Sequence, residues 1–314
     1  MDWRRLAEFD YDPTHWAAAV LRVAGRSWHR TQNRSAALYV GGVCFYALLA
    51  IFPALAILVG LYSMIFTPEQ AASQAEVFSR LMPPGPQGIF QAELSRLTHA
   101  PIRVVSAQSA LAVVVAFYAS HRGVKALLAG LSLIHDEARP RGIVGFNVLA
   151  LAVAVAGFAL IGLISAAFLA VRVAATTFYI PLTPHSWIFR EWTWAGFGMI
   201  VGLTLIYRFA MASKPVLWRA SAVGGVTAAG LTLASSWVGA YYVQQVAHFG
   251  ATYGSISGVV IFLVWLSWNV NSVFYGGAVA TEMEILSGRS AGAPSRLPRQ
   301  RKALLLAHRR TTED

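Results

Sequence analysis

The sequence predicts an all-α, polytopic membrane fold with six transmembrane helices and an N-terminal amphipathic interfacial helix. Three observations carry that prediction. Of the 314 residues, 56% are hydrophobic and 12% charged, against the roughly 25% charged residues of ordinary globular chains. Apolar runs recur near or above the roughly 20 residues that cross a bilayer as a helix, at about 37–66, 104–120, 143–171, 193–212, 220–245 and 256–281. Lys and Arg are segregated between alternate gaps, twenty in one set and five in the other.

The N-terminal segment, 1–35, comes first. Asp12-Pro13-Thr14 reads as a helix start, with proline tolerated in the first turn. At 100° per residue Trp16, Val20 and Val23 share one face, and Arg22, Arg26 and Arg30 are assigned to another. Such a helix lies in the interface and anchors on anionic lipid. Asp2, Glu8, Asp10 and Asp12 do not fit the basic-then-apolar order of a signal peptide, so the first span is expected to serve for targeting.

The membrane domain occupies 36–285. Pro53 removes a backbone bond from the first span and is expected to kink it beside Tyr46. The loop 67–103 holds Thr67-Pro68-Glu69-Gln70, a capping box, and then Pro83-Pro84-Gly85-Pro86, so two short outer helices are expected there. The second span is interrupted by Ser106, Gln108 and Ser109 and should face neighbours. Tyr179, Trp187, Phe189, Trp192 and Trp194 form an aromatic belt at the entrance to the fourth span. Gly224 and Gly225 in the fifth span, and Gly254 and Gly258 at the head of the sixth, permit close helix packing. The tail, 286–314, is basic and is expected to be disordered.

The charge distribution explains the net +11 without nucleic acid. Basic residues are retained on the cytoplasmic side, which puts both termini inside. Membrane lipids are the expected partners, nucleic acid is not, and a homo-oligomer is compatible with the small-residue faces. The single cysteine, Cys44, excludes an internal disulfide and any multi-cysteine metal cluster.

Enzyme motifs are missing. Gly254-Ser255-Ile256-Ser257-Gly258 does not place a serine at the centre of G-x-S-x-G. His135-Asp136-Glu137 has no second ligand pair and reads as a solvated turn. No catalytic residues, metal or cofactor are therefore expected. All 14 acidic residues lie outside the apolar cores, although a midplane carboxylate is the common device of cation-driven transport. A pathway would have to be lined by neutral groups. Tyr46, Pro53, Ser106, Gln108, Ser267, Asn269 and Asn271 are the candidates, with interhelical bonding the competing role for each. Arg122, Lys125 and Arg208 are expected on the cytoplasmic rim, where they would gather anionic lipid or substrate.

The segment Cys44-Phe45-Tyr46-Ala47-Leu48-Leu49-Ala50-Ile51-Phe52-Pro53 resembles the first-helix motif of the YihY/virulence factor BrkB family. Ser120-His121-Arg122-Gly123-Val124-Lys125-Ala126-Leu127, Tyr207-Arg208-Phe209, Tyr253-Gly254-Ser255 and Val264-Trp265-Leu266 resemble later family segments in the same order, over about residues 30–285. Gly130-Leu131-Ser132 replaces an Ala-Leu-Asn-like stretch, and Val279 follows Gly277-Ala278 where the family often has glutamate. The resemblance implies a six-span bacterial inner-membrane protein with an envelope role in transport or export of a lipid-like or small solute. The family's old ribonuclease BN label finds no catalytic constellation here. Transport, a non-transporting envelope scaffold and a membrane-embedded enzyme are the three functions weighed, in that order.

Overall fold

The computed structural model describes residues 13–32, 34–62, 102–136, 142–177, 191–245 and 257–287. Among them all regular structure is helical: α1 (Pro13–Thr31), α2 (Arg34–Tyr62), α3 (Ile102–Ile134), α4 (Ile143–Thr177), α5 (Glu191–Leu205), α6 (Trp218–Gln245) and α7 (Ser257–Leu286). A π-helical turn, Ile206–Ala210, closes α5. The expected outer helices of 67–103, the aromatic belt residues before 191, and the tail beyond 287 lie outside the described residues.

Local chemistry explains several ends. Thr31 donates its hydroxyl to the carbonyls of Ser27 and Trp28, which occupies the last turn of α1. α3 ends at Asp136, whose φ of 54° is the left-handed conformation that a short Asp side chain tolerates. α4 opens on Gly142, whose carbonyl accepts from Phe146 N–H at 2.9 Å.

The most extensive helix pairs are α2 with α3 and α6 with α7, and α7 also touches α1, α2 and α3. It is the hub. Around it Val40, Cys44, Leu131, Tyr207, Met211, Val270 and Phe274 form the main core. Backbones approach closely where α6 crosses α7: a Cβ on Gly276 would stand 2.6 Å from the Gly224 carbonyl oxygen and 2.5 Å from Ala228 Cβ. α4 instead lies at the rim, with Val144, Val148, Val155, Phe158, Ile161 and Leu163 all exposed. A helix apolar all round and uncovered by protein is suited to lipid.

Four helical segments among the described residues are long and apolar enough to cross a membrane: 143–168, 193–210, 218–242 and 257–286. A fifth is obtained if Val20–Thr31 and Ala36–Ile51, which meet at 72°, are counted as one broken span. α3 carries His121, Arg122 and Lys125 along its length, and it is not among the four. Pro53, where a kink is expected from the sequence, lies inside α2, which is one continuous helix over 34–62.

One expectation is corrected by α3. The second helix was to end near residue 120, with Arg122 and Lys125 on the rim beyond it. It runs on to Ile134, because Leu128, Leu131 and Ile134 are fully or almost fully buried and their packing outweighs the local cost of two charges and two glycines. Arg122 is the 21st of the helix's 33 residues.

Candidate functional site

Two charged groupings stand out, one at an end of the bundle and one within the length of α3. At the end, Arg30 of α1 donates from Nε to Glu282 Oε1 of α7 at 2.5 Å, and from Nη1 to Asp136 Oδ2 at 2.7 Å and the Ile134 carbonyl at 3.3 Å. Arg26 Nη1 lies 3.8 Å from the second Glu282 oxygen. Burial disfavours the Arg30 charge, but its bonds to Glu282 and Asp136 outweigh that and hold its pKa above the ordinary value. Beside it, Thr281 donates to the Gly277 carbonyl, so its oxygen accepts from His135 Nδ1 at 3.0 Å. His135 Nε2 is 3.8 Å from Glu284. The turn read as solvated thus ties three helices together. Arg30 also leaves the lipid-facing stripe assigned to it and turns into the protein.

Away from that end the α2–α3 pair carries the second grouping. Gly42 faces Ala126, and Gly123 faces Tyr46, where an added Cβ would meet Tyr46 Cβ at 3.4 Å. Arg122 is 14 positions before Asp136, about 21 Å along the axis at 1.5 Å per residue. Its guanidinium lies 5.3 Å over the Tyr118 ring, which meets Tyr46 edge-on at 6.5 Å. His121 stacks on Phe117, and its Nδ1 is buried without a partner among the described residues. Arg122 is exposed and Lys125 half-buried. No ion pair reaches either among the described residues.

Arg208 lies elsewhere, at the α5–α6 corner. The π turn, marked by Met211 N–H donating to the Ile206 carbonyl at 3.2 Å, lets Arg208 Nη1 donate to the Val216 carbonyl at 2.5 Å. In return Val216 N–H donates to the Arg208 carbonyl at 3.0 Å. The neighbouring Tyr207, fully buried, donates to the Val273 carbonyl at 2.6 Å.

The remaining candidates are scattered. Asn269 and Asn271 donate to their own helix, at the carbonyls of Trp265 (2.7 Å) and Ser267 (2.8 Å). Asn269 Oδ1 is buried without a partner, whereas Asn271 is exposed. Ser267 and Pro53 are half-buried. Ser106 and Gln108 fall in α3 where side chains are not described, and Gly254 lies outside the described residues. Gly224 packs on Gly276 and Ala280, Gly225 on Thr204 and Ile200, and Gly258 sits half-buried in the first turn of α7. Among the described residues no three of His, Cys, Asp and Glu are grouped to hold a metal. The Arg30 cluster was missed, although Glu282 and Glu284 beside the apolar run of α7 were a visible hint.

A helical bundle that turns apolar faces outward and, among the described residues, gathers its ion pairs at one end is an α-helical membrane protein. The chain belongs to the virulence factor BrkB family, whose sequence profile matches residues 27–301. It is similar to a UPF0761 membrane protein of Paraburkholderia xenovorans (strain LB400), at 35% identity over 80 residues. That match covers 24% of this chain and 18% of the relative, so less than a fifth of the relative's length is spanned. No solved structure matches the chain.

Proposed function

We propose that this chain is a six-span protein of the bacterial inner membrane, with both termini cytoplasmic, that transports or exports a neutral or anionic amphiphile. α2 and α3, at 29 and 33 residues, supply the two spans beyond the four apolar ones; each exceeds the roughly 20 residues a bilayer requires. α1 then lies at the cytoplasmic surface, clipped to α3 and α7 through Arg30.

One observation carries the transport reading: Arg122 and Lys125, unpaired among the described residues, are the 21st and 24th of the 33 residues of α3, inside the helix rather than at its end. Within a bilayer each such charge costs about 2.5–3.5 kcal/mol on insertion scales. No carboxylate of this chain lies in an apolar run to compensate it. An anionic headgroup would, and the exposed rings of Phe45, Phe117 and Tyr118 offer its chains an apolar surface. Tyr46 lies at the same level as Gly123 and would line the path; Asn269, with its unpartnered oxygen, is the other neutral candidate.

The test is reconstitution of the full chain in vesicles containing a fluorescent phosphatidylglycerol or phosphatidylcholine, scored by how fast the inner-leaflet probe becomes quenchable. Wild type should speed movement of the anionic probe, and Arg122→Gln with Lys125→Gln should slow it about tenfold at unchanged melting temperature. The close seam of Gly224 and Gly276 favours a second reading, a rigid envelope scaffold. Vesicles no faster than empty ones, together with full complementation of an envelope defect by the double variant, would select the scaffold.

A further inference from the structure

We propose that the α5–α6 corner is a binding site for the phosphate of an anionic phospholipid headgroup. From the reading above it takes only that this end of the bundle meets a membrane surface; it does not require transport. Three cations belong to this corner: Arg208 in the π turn that closes α5, Lys214 in the connection and Arg219 at the start of α6. The sequence holds no Asp or Glu between Glu191 and Glu282, and Glu282 is engaged by Arg30 and Arg26. No ion pair to the three cations occurs among the described residues. The corner therefore carries three positive charges without a counter-charge of its own.

Its geometry suits a phosphate. The Arg208 guanidinium is clasped by the Val216 carbonyl and lies 4.2 Å over the Trp218 ring and 5.1 Å from that of Phe209. Phe209 and Trp218 meet edge-on at 6.0 Å. A planar guanidinium fixed by stacking has lost its torsional freedom in advance, and its outer N–H groups match two phosphate oxygens at once. Lys214 and Arg219, both exposed, add charge beside it.

The two rings decide between a lipid and a free phosphate. Phe209 and Trp218 are 47% and 53% exposed and flank the guanidinium, which is the arrangement of aromatic anchors at headgroup level. They would lie against glycerol and the first acyl carbons of a lipid. A free phosphate gains nothing from them. The π turn also gains a purpose: the extra residue aims Arg208 back over Trp218, in keeping with the frequent placement of such turns at functional sites.

The test uses the purified full chain carrying Arg122→Gln and Lys125→Gln, so that the two cations of α3 do not contribute, and counts retained lipids by native mass spectrometry. Phosphatidylglycerol and phosphatidylcholine of matched acyl chains are the probes. Phosphatidylglycerol should be preferred, and Lys214→Gln and Arg219→Gln should each cut the preference about fivefold, the effect of roughly one basic residue at an anionic surface. Arg208→Lys, which keeps the charge but loses the planar fork, should also lower it at unchanged melting temperature. Equal retention of both lipids, or a preference untouched in all three variants, overturns the proposal. Displacement by inorganic phosphate at the concentration at which phosphatidylglycerol competes would assign the corner to free phosphate and overturn it equally.

Discussion

Glu282 and Asp136 hold the same guanidinium, but they do so in different media. The Glu282 side chain is 4% exposed and that of Asp136 is 79%. An exposed pair is screened and contributes at most about 1 kcal/mol, whereas deleting one partner of a buried pair leaves an uncompensated charge and costs about 3–5 kcal/mol. Arg30 keeps Asp136, so Glu282→Gln should destabilise by about 3 kcal/mol, the lower end of that range, and Asp136→Asn by less than about 1 kcal/mol. Thermal unfolding of the purified protein measures both, and equal losses would refute the ranking. Arg30 was hard to read because residues four apart advance by about 40° on a helix. Arg22, Arg26 and Arg30 therefore drift some 80° across the surface, and the last of them passes from the outer face to the inner one.

Among the elements, α4, α6 and α7 were legible because their apolar runs are long and free of charge, and the observed limits fall within six residues of those expected. α3 was not. His121, Arg122 and Lys125 look like the end of a span when only local composition is weighed, and the buried contacts of Leu128, Leu131 and Ile134 that carry the helix onward come from other parts of the chain. The π turn leaves no pattern in five residues as ordinary as Ile-Tyr-Arg-Phe-Ala. The glycine spacing of α6 was readable, but its partner Gly276 was not singled out. Gly276→Ala would force a methyl against the Gly224 carbonyl and Ala228 and should cost about 2 kcal/mol as overpacking. Gly162→Ala on the open face of α4, where nothing lies within 4 Å, should be neutral or gain up to about 1 kcal/mol from helix propensity. Melting temperatures of the two variants decide the matter; similar shifts would show that α6 and α7 are not in such close register.

For the whole molecule, the basic residues divide twenty against five in the sequence, and eighteen against five once Arg122 and Lys125 are placed within α3, a bias that bears on several connections at once. It predicts that a cysteine at Ser290, in a Cys44→Ser background, is shielded from an impermeant thiol reagent in intact cells and reacts after permeabilisation. Labelling of intact cells would reverse the proposed orientation. Sequence order adds a constraint of another kind, because the contact between Arg30 and Glu282 joins residues 252 positions apart. At ribosomal speeds of about 5–20 residues per second, roughly 13–50 s pass between the synthesis of one partner and the other. Throughout that interval the nascent chain holds α1 with no Glu282 to receive it. Closure of the clasp is thus a late event in biogenesis, and a chain stalled before its last helix would hold Arg30 through Asp136 and the Ile134 carbonyl alone.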